Sequence, residues 1–482
     1  MIKMALIKPP ATYSNWYKKP VLSMSYIASY LEAGEFDCEI FDAYFNDWTE
    51  GTLIDRVAAY NPDIVGITSM THEIAQAAHI AALIKKRLGV PVVVGGCHIT
   101  ALPERTLAEF PAFDYGIYGE GEETVLELLS YLYNEDPAQE LRSIRGLVFR
   151  DKEDIIDNGP RSLMTSEQLD ALPFPSFHHY YGNNTQALKD EHSYYVMISG
   201  RGCPYSCAFC MQVLGRKIRR RSAENICKEM EYAIAQYGTH IVSFVDELFL
   251  ANDNRTREIL QLMIETGLSK KIKWSTHTRA NIVTPELIAL AKQAGCFSIS
   301  MGVESGDAEI LKAIGKGITI EQVKNAVRIV KEAGLSLETY FIIGHPNETR
   351  ETAQKTIDLA AELNTDRVAV GIMVPYPGTK ICDMAKNHEG GYRLLSEDWS
   401  EYDKYGGRSL EIKGFPYKEM EKYQARAYIN LYLKNYRFID LFRFFYARRK
   451  AFYYFLRKKI GNIVPIYSIN NPQGRPESNS SK

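Results

Sequence analysis

RGCPYSCAFC, residues 201 to 210, is the stretch on which the reading of this chain turns. It sets Cys203, Cys207 and Cys210 at the spacing Cys-x3-Cys-x2-Cys, directly after residues 194–199, which are predicted to form a strand. Three soft thiolates on one short loop reach three corners of a metal site, and thiolates select iron–sulfur or zinc over hard cations. A closed zinc site wants a fourth ligand, and no further Cys or His stands nearby at knuckle spacing. Three cysteines with a missing fourth suit an iron–sulfur cluster that leaves one iron open; structural zinc is the alternative. The other five cysteines, Cys38, Cys97, Cys227, Cys296 and Cys382, are scattered, which excludes a disulfide framework.

Working outward, strand candidates at 194–199, 241–245, 273–276, 296–301, 336–343 and 367–373 alternate with helical stretches such as 224–237 and 321–333. Six such units predict a partial (β/α)6 barrel over residues 192–390. Upstream, 4–7, 38–41, 63–68, 90–94 and 115–118 read as five strands with crossover helices. They predict a doubly wound, Rossmann-like domain over residues 1–140, whose ligands sit at the carboxyl ends of its strands. Residues 141–191, with a lone hairpin near 146–150 and the segment LPFPSFHHYYGNNT, read as a connector. Residues 391–470 read as a helical, substrate-facing region and 471–482 as a disordered polar tail, so the fold class is α/β in three parts.

Composition agrees with that division. The 482 residues make room for about three domains. A net charge of −2 supplies no global field for nucleic acid. No apolar run reaches the ~18 residues of a spanning helix, and MIKMALIKPP lacks the apolar core of a signal peptide, so a cytoplasmic chain is expected. Locally the charge is uneven: residues 431–460 mix Lys and Arg with Phe, Tyr and Leu, and Asp440 is their only acid. A helix packed on the barrel with a solvated basic face is the favoured reading, and an interfacial helix on anionic lipid, a peripheral membrane contact, the other.

The cysteine motif after the first barrel strand, with Phe209 before the last cysteine, resembles the radical S-adenosylmethionine (SAM) superfamily. The resemblance implies that Cys203, Cys207 and Cys210 hold a [4Fe–4S] cluster whose open iron binds SAM, and that one-electron cleavage yields a deoxyadenosyl radical. FVDELFL, at 244–250, resembles the acidic motif of the cobalamin-type subgroup, implying that Asp246 and Glu247 help hold the methionine end. GVESG implies Glu304 at the ribose hydroxyls, and FIIGHPNET implies Ile343, Gly344 and Pro346 near the adenine. PYPGT, at 375–379, is similar to the sixth-strand sequence of that subgroup. Each has a plainer reading: Glu304 as a strand-end carboxylate, Asp246 and Glu247 as caps of the next helix. Arg279, at another strand end, could pair with a ligand carboxylate, whereas His277 is the weaker candidate.

A doubly wound domain before such a barrel resembles the cobalamin-binding domain of cobalamin-dependent radical SAM proteins. The resemblance rests on PPATYSNWY, TSMT, VVVGGCHITALPE and YGEGE, and it implies cobalamin contacts at Thr68, Ser69, Gly95, Gly96, Gly119, Glu120 and Gly121. Many such domains carry Asp-x-His-x-x-Gly after the first strand, but residues 8–17 hold no His, with Tyr13 and Trp16 as the largest side chains. An unligated or water-bound cobalt is therefore expected, with His72 as the one nearby exception. The implied activity is methylation of an unactivated carbon through the deoxyadenosyl radical and methylcobalamin, with an external electron donor such as flavodoxin or ferredoxin and a small, hydrophobic substrate. Alternatives are a cyclase or rearrangement enzyme like the anaerobic Mg-protoporphyrin ester cyclase, or a non-catalytic zinc-stabilised binder. A methylthiotransferase would need a second three-cysteine cluster, and only Cys38 and Cys97 precede Cys203.

Overall fold

Short apolar runs closed by glycine or a capping hydroxyl lay down the first sheet. A computed structural model describes residues 2–10, 18–133, 140–182, 184–188 and 194–447. The loop containing Tyr13 and Trp16, and the tail at 471–482, lie outside the described residues. Strands β1 (Lys3–Lys8), β2 (Asp37–Asp42), β3 (Ile64–Thr68), β4 (Val92–Gly95) and β5 (Tyr115–Ile117) are parallel, in the order β2-β1-β3-β4-β5. Helices cover both faces: Ile7, Val65 and Val94 pack with Leu53, Ile74 and Ile80 on one side, and Leu6, Ile40 and Val93 with Ala28, Leu31 and Leu128 on the other. That two-sided burial explains why these strands read as continuous apolar runs. The hairpin β6 (Leu147–Asp151) and β7 (Asp154–Asp157) does not stand alone; it adds to β5 antiparallel and makes the sheet seven-stranded.

The second half opens with β8 (Tyr195–Met197) and a two-stranded ribbon of β9 (Gly200–Arg201) and β10 (Arg219–Arg220), which brackets the cysteine loop. Next come β11 (Ile241–Phe244), β12 (Lys273–Thr278), β13 (Cys296–Glu304), β14 (Ser336–Ile343) and β15 (Arg367–Ile372). With β8 they form a six-stranded parallel sheet in chain order, the partial (β/α)6 barrel. Capping hydroxyls start its helices: Ser222 accepts from the Asn225 N–H, Thr284 from Leu287 and Thr319 from Gln322. In SLETYFII of β14, Leu337, Phe341 and Ile343 enter the core beneath the helices, while Ser336, Glu338 and Tyr340 alternate onto the inner, half-buried face.

The carboxyl-terminal region does not begin as helices. A hairpin of β16 (Tyr392–Leu394) and β17 (Leu410–Ile412) comes first, and Trp399 and Tyr402 between them join the core of the first domain. Helix Tyr417–Lys434 then lies along the edge strand β15, where the Gln424 amide donates to the Val370 carbonyl and the Tyr428 hydroxyl accepts from the Val370 N–H. Capping an open sheet edge in this way satisfies backbone groups that would otherwise recruit another strand. Among the described residues no helix is long and apolar enough to cross a membrane.

Candidate active site

The cysteine loop leaves the carboxyl end of β8 and is held open by backbone geometry. Gly202, at φ +96°, admits no side chain, because a Cβ there would stand 2.3 Å from the Lys217 carbonyl oxygen. The Cys203 N–H donates to the Gly215 carbonyl, and the loop is stitched to the barrel through Ala208, bonded to Ile314 and Ile381. Asp246 and Glu247, at the end of β11, brace its entrance. Both Asp246 oxygens receive the Ser199 N–H and one also its hydroxyl, and burial pushes this carboxyl up to about 6. Glu247, exposed, accepts from the Gly202 N–H at 2.8 Å. Asp246 is thus occupied in shaping the loop, while Glu247 keeps one oxygen for other use.

Cations ring the thiols. The Arg279 guanidinium stacks on Tyr205, 3.5 Å from its ring centroid, and donates to the Cys207 sulfur at 3.7 Å. A second Arg279 nitrogen bonds the Lys316 carbonyl. Lys316 ion-pairs with Glu304 at 2.7 Å, both side chains buried, and lies 5.9 Å from the Phe209 centroid. Glu304 itself has φ +72°, a left-handed conformation rare for a non-glycine residue and found at functional turns. Above it, the His345 ring is fully buried and bonds the Glu304 carbonyl, its Nδ1 lacks a partner, and burial pushes its pKa down to about 4. Ile343 ends β14, and the N–H groups of Gly344 and His345 converge on the buried Glu348, whose carboxyl burial raises to about 8. Cys203, Cys207, Cys210, Asp246, Glu247, Glu304, Ile343 and Gly344 therefore gather at one rim, the carboxyl ends of the barrel strands.

Sequence reasoning missed Lys316, although Gly315 and Gly317, both at positive φ, flank it as a visible signal. It also missed the barrel's inner face. Ser243, Ser275, Ser298 and Ser336 stand abreast on four neighbouring strands. One layer above, His277, Ser300 and Glu338 are in register, and Tyr340 donates to Glu338 at 3.2 Å. Lys19, from the first domain, reaches in to Ser243 at 3.3 Å and stacks over Tyr194, and burial lowers its pKa.

Thr68, Ser69, Gly95 and Gly96 sit at the carboxyl ends of β3 and β4. Gly96, at φ +105°, allows the two ends to touch: a Cβ there would meet the Ser69 carbonyl oxygen at 2.4 Å. Gly119 faces open space, whereas Gly121 packs close to Ile117 and Ile27. Glu120 departs from the expected ligand contact. Its carboxylate is buried between Arg201 and Arg219 of the ribbon, at 2.9 and 2.7 Å, and accepts the Met164 N–H at 2.7 Å. Those donors saturate it, because two guanidiniums desolvated at a domain junction require a carboxylate there. His72 is buried 4.0 Å from a Glu73 oxygen.

The two rims face each other. Gly378, in PYPGT beyond β15, packs on Ala101 of the short helix Cys97–Ala101 that follows β4. Val374, also beyond β15, lies in the core of the first domain with Trp399.

The Radical SAM superfamily model matches residues 197–360, and the B12 binding domain model matches residues 17–129. Over 443 residues the chain is 33% identical to an uncharacterized methyltransferase of Pyrococcus horikoshii, spanning 90% of this chain and 93% of that one. The chain belongs to the cobalamin-dependent radical SAM family. It is also 28% identical to the anaerobic magnesium-protoporphyrin IX monomethyl ester cyclase of Rubrivivax gelatinosus, across 75% of this chain and 65% of the cyclase. In fold it is similar to the radical SAM methyltransferase TsrM of Kitasatospora setae, whose structure contains cobalamin and a [4Fe–4S] cluster (TM-score 0.69, 18% identity, 90% and 89% coverage).

The family's cofactors are a [4Fe–4S] cluster, SAM and cobalamin, and the residues present fit the cluster. One zinc with bonds of about 2.3 Å would draw its sulfurs to roughly 3.8 Å of one another. The three cysteine sulfurs are not all within 4.8 Å of one another; among the described residues only Glu32, His178 and His179 form so tight a group of possible ligands. Three thiols on one loop, with the Arg279 guanidinium beside the Cys207 sulfur, are a donor set of the kind that holds an iron–sulfur cluster. The zinc-stabilised binder gives way to the family assignment, which makes the chain a cobalamin-dependent radical SAM enzyme.

Proposed function

We propose that the enzyme methylates an unactivated carbon of a small molecule held between the two rims. The observation that carries this reading is the packing of the Cys97–Ala101 helix against the loop at Gly378, which turns the carboxyl ends of both sheets toward one space. Carboxyl ends are where doubly wound sheets and (β/α) barrels bind their ligands, so a methyl donor and a radical source would share one substrate atom. When bound, the family's cofactors supply a hydrogen-abstracting radical and a transferable methyl group. The protein's own contribution is placement and exclusion of water. Cys203, Cys207 and Cys210 hold the cluster, and Asp246, Glu247 and Gly202 fix the loop that carries them. Glu304 and the backbone at Ile343 and Gly344 take the nucleoside end of SAM, and Lys316 orients Glu304. Thr68, Ser69, Gly95, Gly96 and Gly119 line the cobalamin side. Cys210, the exposed cysteine of the three, marks the face at which an external one-electron donor such as flavodoxin or ferredoxin approaches. The polar inner wall, with Lys19, His277, Ser300, Glu338 and Tyr340, recognises a hydrogen-bonding part of the substrate.

The test is an anaerobic incubation of holoenzyme with a one-electron reductant, CD3-labelled SAM and a metabolite extract of the host cells. Methylation produces a species carrying the CD3 group together with S-adenosylhomocysteine and deoxyadenosine. Deoxyadenosine without label transfer would replace this reading with a cyclase or rearrangement, the activity named for the Rubrivivax relative.

A further inference from the structure

The last described helix, Phe438–Ala447, leaves the barrel with Phe438, Ile439, Phe442 and Tyr446 exposed. Its start is fixed firmly: the Asn435 amide donates to the Ala361 carbonyl, and Arg437 folds back onto the carbonyls of Thr365 and Asp366 at 2.6 and 2.8 Å. Leu441 packs against the barrel core. On the exposed side Phe438, Ile439 and Phe442 are 58%, 71% and 70% accessible, Tyr446 extends the row one turn further, and Tyr436 in the preceding turn is 82% accessible. Spacings of four residues put Phe438, Phe442 and Tyr446 on one stripe. A contiguous aromatic and aliphatic stripe of this kind marks an interaction site rather than ordinary surface.

Charge identifies what covers it. Residues 431–460 hold nine Lys and Arg against one acid, in a chain whose total is −2. That acid, Asp440, is already shared by Arg437 at 3.0 Å and Arg443 at 3.7 Å. Arg443, 77% exposed, borders the apolar stripe. Two copies of so basic a segment repel each other, whereas an anionic surface that also dissolves Phe and Ile suits both the segment's composition and the exposed stripe. A stretch with ten charged residues in thirty, 431–460, is too polar to cross a bilayer core, so the contact is one that lies on the membrane.

We propose that helix Phe438–Ala447 docks the enzyme on an anionic lipid surface, with Phe438, Ile439 and Phe442 inserted at the headgroup boundary and Arg443 among the headgroups. The proposal is independent of the reaction assigned above. The test is co-sedimentation of the full chain with phosphatidylcholine vesicles, with or without about one quarter phosphatidylglycerol. Wild type should bind the anionic vesicles at least about tenfold better than the neutral ones, with salt weakening the difference. A Phe438→Ser, Ile439→Ser, Phe442→Ser triple variant should lose binding while keeping wild-type iron content and thermal midpoint, since these side chains are exposed. Arg443→Glu should weaken anionic binding alone. No sedimentation with anionic vesicles, or equal sedimentation of wild type and triple variant, overturns the proposal. So does a wild-type dimer that the triple variant converts to monomer without any lipid binding, which would make a second copy the occupant.

Discussion

Substituting Glu120→Gln should open the junction between the two halves of the molecule. The Glu120 carboxylate, 3% exposed, sits between Arg201 and Arg219 at 2.9 and 2.7 Å and accepts the Met164 N–H. Glutamine keeps the shape but presents an amide N–H₂ where two guanidiniums donate, and it leaves Arg219 with no charged partner, only the carbonyls of Leu214, Met164 and Lys217. Arg201 retains Glu122. Removing one side of a buried pair costs about 3–5 kcal/mol. At about 1.4 kcal/mol per factor of ten, the Met164 amide should exchange its hydrogen roughly two to three and a half orders of magnitude faster. Asp151→Asn, which breaks the exposed pair with Arg142, should cost less than about 1 kcal/mol and serves as control. Hydrogen–deuterium exchange of anaerobic protein resolves residues 163–166 and 199–203. A Met164 rate within about tenfold of wild type would refute the clamp. If Glu120 instead served cobalamin, the variant would lose cobalamin while Met164 stayed protected.

Replacing any one of Cys203, Cys207 and Cys210 by Ala should abolish the cluster's visible absorbance and bound iron, whereas Cys227→Ala, a buried thiol on the helix Ala223–Tyr237, should not. Gly202→Ala forces a Cβ against the Lys217 carbonyl at positive φ, a strain of about 1–3 kcal/mol, so iron per chain should fall well below wild type. Glu348, held at about 8 in the fold against 4.5 for the free side chain, stays protonated while the unfolded chain ionises. Its penalty therefore grows as pH rises from about 4.5 to about 8 and is constant above. Glu348→Gln, which mimics the neutral form, should match wild type near pH 5 and melt higher at pH 9; equal melting at pH 9 would refute the burial.

The barrel was legible because its signals are local: a serine or threonine cap, an amphipathic helix, then a strand whose sides alternate. SLETYFII declares itself a strand from that alternation, and its polar half was readable too, but which face turns inward depends on five neighbouring strands. The cysteine loop and Glu304 were legible as strand-end positions, and the structure places them there. The ion pairs of Glu120 were not legible, because its glycine-flanked position matches a ligand loop while Arg201 and Arg219 lie 81 and 99 residues away. Hairpin β6–β7 was seen and its attachment was not, since pairing with β5 leaves no local mark. The segment 431–460 reads as a helix packed on the barrel or as an interfacial one; Leu441 does pack on the barrel, and the exposure of the helix's other side follows from a turn at Asn435–Arg437 held by carbonyls near Thr365, which leaves no local mark.

Trp399 inserts its indole beside His98, 4.9 Å between ring centroids, donates to Glu109 at 2.7 Å, and with Val374 and Tyr402 fills the core of a domain whose sheet ends at Asp157. The first domain therefore cannot finish folding when its own strands have been made. Some 240 further residues must emerge before Trp399 arrives, which at about 5–20 residues per second is roughly 10–50 s of synthesis. During that interval an apolar socket around His98 stays open on a nascent chain.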